Sequence, residues 1–269
     1  MKRQKWATWG PETPEQHYFV RPRHLAGGGN LAYVTEHLRA SGWKDHTSHA
    51  GTPVVFDSPD RSVRLGYDPS TTPPGWTISG KATPDQPAWH ATLSSRIPVE
   101  IVAGVTDALT QPRRAHAPNV WAPLKEQNWR TDDQGKHHTV TSPDGTAAVR
   151  FHQEEPGAAI WWATAHTEHG KQWEAVFSQH TPMHLVAAFT TALADPEPLL
   201  RPRNHIPTTQ KIHTISVSAL PSQIAARLRE RITSARTTTW ARTTTAARCS
   251  KVTPTASPYL AATKAARTR

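Results

Sequence analysis

The chain has 269 residues with 31 Lys or Arg against 21 Asp or Glu, a formal net charge of +10. That length holds one large domain or two small ones. The single cysteine, Cys249, excludes an intrachain disulfide or a Cys-based zinc cluster, and no run approaches the ~20 apolar residues of a membrane span.

The positive charge is concentrated at one end. Residues 201–269 hold 13 Lys or Arg and one acidic residue, Glu230, for a net of +12, whereas the preceding 200 hold 18 basic and 20 acidic residues, for a net of −2. The start, Met1-Lys2-Arg3-Gln4-Lys5-Trp6, has no apolar stretch behind its basic residues, so no signal peptide is expected and a reducing, cytoplasmic setting is. Arg outnumbers Lys 21 to 10, which by association suggests a high-GC, actinobacterial genome.

Residues 1–29 form an N-terminal segment with an extended-looking stretch, His17–Val20, and a Gly27-Gly28-Gly29 run read as a linker. The Gly run lacks the G-x-x-x-x-G-K-[S/T] spacing of a phosphate loop. Asn30 then caps a helix with Leu31, Val34 and Leu38 on one face, and Gly42 fits the position after its end, where positive φ is needed. At an offset of 86 the chain repeats this as Leu124, Asn128 and Trp129 against Leu38, Gly42 and Trp43. Asn is the usual substitute for Gly in that backbone geometry. Pro123 restricts the second helix to a shorter form with proline in its first turn.

Each of these Trp residues leads into a Ser-Pro-Asp turn, Ser58-Pro59-Asp60 and Ser142-Pro143-Asp144, between strands of period two. A loop and a third strand around Trp76–Ile78 and Trp161–Ala163 follow. The fourth strand is Trp89-His90-Ala91-Thr92-Leu93-Ser94, repeated at a constant offset of 84 as Trp173-Glu174-Ala175-Val176-Phe177-Ser178. Pro98 and Pro182 start closing helices with core stripes Ile101, Val102, Val105, Ala108, Leu109 and Leu185, Val186, Phe189, Ala192, Leu193. The prediction is an α+β protein: two α-β-β-β-β-α units with antiparallel sheets, unit one at 30–112 and unit two at 117–200. A unit of roughly 85 residues buries only about 60 to 65% of its unfolded surface, so the copies are expected to pack together or dimerise. Residues 201–269, a basic low-complexity tail apart from a short basic helix at 223–232, are expected to be mostly disordered.

The Leu-x4-Trp helix end, the Ser-Pro-Asp turn, the Trp-x-Ala-x-[Leu/Phe]-Ser strand and the Pro-initiated closing helix resemble the streptomycete tandem repeat known as domain of unknown function 317, over roughly residues 17–205. The resemblance implies the repeat architecture. It carries no activity and no catalytic residue.

Candidate sites are few. The closest His spacings, His46/His49, His137/His138 and His166/His169, lack a recurring acidic or Cys ligand, so neither metal nor cofactor is expected. Ser94 and Ser178 are matched hydroxyls without a paired base, since His180 corresponds to Arg96, and Asp60 and Asp144 read as turn residues. Trp43, Trp76, Trp89, Trp129, Trp161 and Trp173 fall on core faces; Trp162 must point the other way, and with Trp121 it is the expected exposed contact. Arg227, Arg229, Arg231, Arg236, Arg242 and Arg248 are the expected contacts to nucleic acid, by counterion release, against the plainer reading of a solubilising tail. The sequence thus points to a non-enzymatic binding or scaffold protein with an unidentified protein partner or itself as partner. The alternative is an enzyme with its site in the groove between repeats, which a deep intercopy pocket of converging polar groups would favour.

Overall fold

The computed structural model describes residues 12–48, 51–111, 118–135, 137–155 and 158–249, with backbone alone at 154, 155, 158 and 242–249. Copy one runs through α1 (Ala32–Ala40), β2 (Lys44–Asp45), β3 (Val54–Asp57), β4 (Val63–Asp68), β5 (Gly75–Gly80), β6 (Trp89–Ser94) and α2 (Val99–Thr110). Copy two repeats the order with α3 (Ala122–Glu126), β7 (Arg130–Asp133), β8 (His137–Thr141), β9 (Ala147–Glu155), β10 (Ala158–Thr167), β11 (Gly170–Phe177) and α4 (Met183–Ala194). Each copy therefore has five strands where the sequence predicts four. The extra strand, β2 or β7, lies in the polar stretch after the first Trp, and as a charged outer edge it lacks the apolar alternation that marks the others.

All ten strands form one antiparallel sheet in the order β2-β3-β4-β5-β6-β11-β10-β9-β8-β7. The copies meet at β6 and β11, the stretches with the offset of 84. Leu93 faces Ala175, Thr92 faces Val176 and Ala91 faces Phe177, so equivalent residues exchange places across a local twofold axis. The matched serines extend this seam. Ser94 Oγ donates to Glu174 O at 3.0 Å and accepts from Glu174 N at 3.0 Å; at the other end Ser178 Oγ accepts from His90 N at 2.9 Å.

The helices cover one face, and a single core joins both copies. It takes in all the Trp residues expected there, Trp43, Trp76 and Trp89 from copy one and Trp129, Trp161 and Trp173 from copy two, with Ile101, Val105, Leu185 and Phe189 from the helices. At the helix ends, Gly42 has φ +81° and Asn128 φ +59°, and Trp43 N and Trp129 N donate back to Leu38 O and Leu124 O. The substitution of Asn for Gly thus preserves the left-handed residue that ends the helix. The opposite sheet face carries no described helix: one row, Thr77, Thr92, Val176, Trp162 and Arg150, crosses the seam.

The chain outside the copies is more ordered than its composition suggests. β1 (Glu15–Arg21) sits between β12 (Leu199–Pro202) and β13 (His213–Ala219) in a second antiparallel sheet, and α5 spans Pro221–Cys249. The low-complexity boundary placed at 201 is corrected to this extent: β1 supplies the backbone partners for β13, and α5 contacts α1 and withdraws Ile224, Leu228, Ile232 and Ala235, spaced as a helical stripe, partly or fully from solvent. The short basic helix expected at 223–232 is the first part of α5; residues 250–269 lie outside the described residues. The Gly run is not a slack linker either. A side chain on Gly28 would come within 2.8 Å of Ser95 O, and Val99 N donates to Gly28 O at 2.6 Å.

Candidate functional site

The Ser-Pro-Asp turns carry the same network of polar contacts in both copies. In copy two Ser142 Oγ donates to Asp144 Oδ1 at 2.5 Å and accepts from Ala147 N at 2.9 Å, while Thr146 Oγ1 donates to Asp144 Oδ2 at 2.8 Å. Copy one matches it: Ser58 Oγ donates to Asp60 Oδ1 at 2.6 Å and accepts from Val63 N at 2.9 Å, and Ser62 Oγ donates to both Asp60 oxygens at 2.8 Å. The residue after each Asp has positive φ, Arg61 at 59° and Gly145 at 70°. The Ser58 hydroxyl foremost holds the Asp60 carboxyl below its ordinary range. Asp144 is lowered further; burial works against its charge, but His24, Ser142 and the Thr146 backbone outweigh that cost.

A second polar zone lies on the outer helix side, where a groove of about 1060 Å³ follows α2 and α4. Both copies line it, and within it Gly104 of α2 lies close to Ala188 and Ala192 of α4. Three carboxylates of the groove are paired with arginines. Arg23 pairs with Asp195 at 2.5 Å and Arg231 with Asp107 at 2.5 Å, while Glu100 at the groove takes Arg201 at 2.6 Å. All three ion pairs tie flanking segments to the closing helices.

Both copies thus present the same Ser-Pro-Asp turn between the same Trp-bearing elements. The family model described as SPDY, domain of unknown function (DUF317), matches residues 57–115 and 141–199, each match starting one residue before the turn serine. The chain carries this domain twice. Comparison with curated proteins and with solved structures returns no match.

The site residues expected from the sequence scatter around the two DUF317 copies. Arg227, Arg229 and Arg236 are exposed on α5. Arg231 leaves that set: it binds Asp107 through both terminal nitrogens, donates to Tyr33 O at 2.9 Å and stacks over the Tyr33 ring at 4.3 Å, so its charge anchors the helix. Arg242 and Arg248 fall on the backbone of α5. Trp162 is 43% exposed on the bare sheet face, beside Ile160. Trp121 is not an exposed contact, since it packs on Trp161 at 4.8 Å and His138 at 4.4 Å as the cap of α3. Ser94 and Ser178 serve the seam between DUF317 copies. His137 stacks on His152 at 4.2 Å, and among the described residues no three His, Cys, Asp or Glu side chains converge as a metal site; His49 lies outside them. No described helix is long and apolar enough to cross a membrane.

Sequence reasoning missed His24. It lies in the segment read as a lead-in, yet its Nε2 is 2.6 Å from Thr146 Oγ1, its ring meets Trp129 edge-on at 6.1 Å, and its carbonyl accepts from Trp173 Nε1 at 2.6 Å. A signal existed in the motif Arg21-Pro22-Arg23-His24-Leu25, echoed at Arg201-Pro202-Arg203-Asn204-His205. Both turn into a short 3-10 helix after a strand.

Proposed function

We propose that the chain is a non-enzymatic, cytoplasmic binding protein that holds nucleic acid without sequence preference along α5. The observation that carries this reading is the state of the arginines. Arg231 fixes a basic helix to a near-neutral body, and Arg227, Arg229 and Arg236 remain exposed on that fixed helix, with Glu230 the only acidic residue after position 200. Cations held at regular spacing on a rigid element meet phosphates at a lower ordering cost than cations on a free chain. The bare sheet face, with Trp162 and Ile160, is the surface left for a protein partner.

The pairing of three groove carboxylates with arginines supports binding over catalysis. A general acid or base must reach a substrate proton, and Asp107, Glu100 and Asp195 already face arginines. Salt dependence tests the proposal. For the full chain on duplex DNA, the slope of log affinity against log salt should shrink by about 2 to 3 when Arg227, Arg229 and Arg236 are all changed to Gln, at ~0.9 for each phosphate no longer neutralised. Undetectable affinity at low salt, or an unchanged slope, would refute it.

A further inference from the structure

The two Ser-Pro-Asp turns are alike, but among the described residues only one of them is covered. In copy two, Trp129, Asp144, Thr146 and Trp173 form a socket that His24 and Leu25 fill; His24 is 4% and Leu25 3% exposed. Thr146 and Asp144 face the imidazole, at 2.6 and 3.7 Å from Nε2, and Trp173 holds the peptide carbonyl. In copy one the equivalent residues, Trp43, Asp60, Ser62 and Trp89, line an open cavity of about 440 Å³. The turn geometry is the same in both, down to the bonds Lys81 N to Ser62 O at 2.8 Å and His166 N to Thr146 O at 2.7 Å. Trp89, the counterpart of the indole that holds the His24 carbonyl, makes no hydrogen bond to any described residue.

We propose that the copy-one socket binds a turn of another polypeptide in which a histidine is followed by an aliphatic residue, seated as His24-Leu25 is seated in copy two. The chain's own segment in the twin socket defines the chemistry of the guest. Asp60, held ionised by its serine donors, faces the imidazole, Trp43 supplies the ring edge and Trp89 the donor for the guest carbonyl.

The rims differ in charge, and that sets the flanking residues. Copy two holds Arg23 with Asp195 and Arg201 with Glu100. At the offset of 84 these carboxylates become Gln111 and His184, and Lys81 stands where copy two has His166; all three line the open cavity. A guest with arginine before its histidine finds the amide of Gln111 where Arg23 has the Asp195 carboxylate, on a rim that also carries Lys81. The copy-one guest therefore carries an acidic or neutral residue there, which also keeps the chain's own Arg-Pro-Arg-His turn out of this socket.

The test uses the full chain and synthetic peptides with the sequence of residues 20–26: the natural one, one with Glu in place of Arg23, and one with Glu there and Ala in place of His24. Indole N–H resonances report binding. The Glu peptide should saturate, shifting the Trp89 and Trp43 signals, and bind at least about tenfold more tightly than the natural peptide or the His-free one. Asp60→Asn should weaken it by about tenfold, whereas Asp144→Asn should leave it unchanged; Lys81→Glu should reverse the preference toward the natural peptide. Absence of saturable binding, sensitivity to Asp144→Asn instead of Asp60→Asn, or indifference to the histidine would each overturn the proposal. These readouts do not involve α5, so they stand or fall separately from the DNA result.

Discussion

A Cβ atom placed on Gly104 would lie 2.6 Å from Ala192 Cβ and 3.1 Å from Ala188 O. In an ordinary helix, replacing Gly raises stability, by up to about 1 kcal/mol for Ala and less for a β-branched residue. Here the added atoms must fit between α2 and α4, and overpacking of that kind costs about 1–3 kcal/mol. Gly104→Val should therefore lower the melting temperature by several degrees instead of raising it, as thermal denaturation by circular dichroism would show. Gly104 was not legible as a packing residue, because the periodicity of α2 marks its face toward the sheet and is silent about the flank toward α4. Gly42 and Asn128 were legible, since a left-handed residue after a helix is a local backbone requirement that the residue type itself encodes. The role of His24 was hidden for the opposite reason: the echoed motif marks its turn, but its partner Thr146 is 122 residues away.

Two segments outside the copies, α5 and the loop before β13, each depend on an identifiable charged residue. Arg231 and Asp107 are both mostly withdrawn from water, and losing one leaves the other charge poorly compensated. Arg231→Ala should thus release α5, raising amide exchange at 224–235 toward that of a free helix while the exchange of β6 and β11 stays slow. The loop before β13 depends on a carboxylate instead. Glu168 accepts from Thr209 Oγ1 at 2.6 Å and Gln210 N at 2.7 Å, and those bonds lower its pKa from 4.5 to about 2. A depressed carboxylate stabilises the folded arrangement above its unfolded pKa and stops doing so as pH falls through the folded value. The Gln210 amide should keep its bound chemical shift at pH 7, and lose it progressively from about 4.5 down to about 2. Glu168→Gln should abolish the titration. The disorder expected from residue 201 onward followed from composition, which was a fair guide to how little apolar surface this stretch buries. Composition could not show that β1 offers an open edge to β12 and β13, or that Asp107 awaits Arg231 on α2; both partners lie more than a hundred residues away.

At the scale of the whole molecule, the seam decides whether the two copies are domains in the sense of independent folding units. The constant offset of 84 revealed the duplication but not how the copies join, since one strand pattern serves a sandwich, a barrel or a shared sheet. The register resolves it: Ala91 faces Phe177 and Leu93 faces Ala175, while Ala91 and Ala175, and Leu93 and Phe177, are repeat equivalents. An isolated copy therefore carries on its β6 edge the complement of itself, small residue to large residue, with Thr92 on the axis. A fragment of residues 30–111 exposes that edge together with the flank of α2 around Gly104, and an unpaired apolar strand edge recruits another. It should dimerise through β6 or precipitate, as sedimentation velocity would show. Thr92→Pro should block the dimer, because residue 92 then cannot donate across the seam and the ring crowds the partner strand. A stable, folded monomer of the unmodified fragment would show that the ten-stranded sheet is two five-stranded sheets side by side and not one cooperative structure.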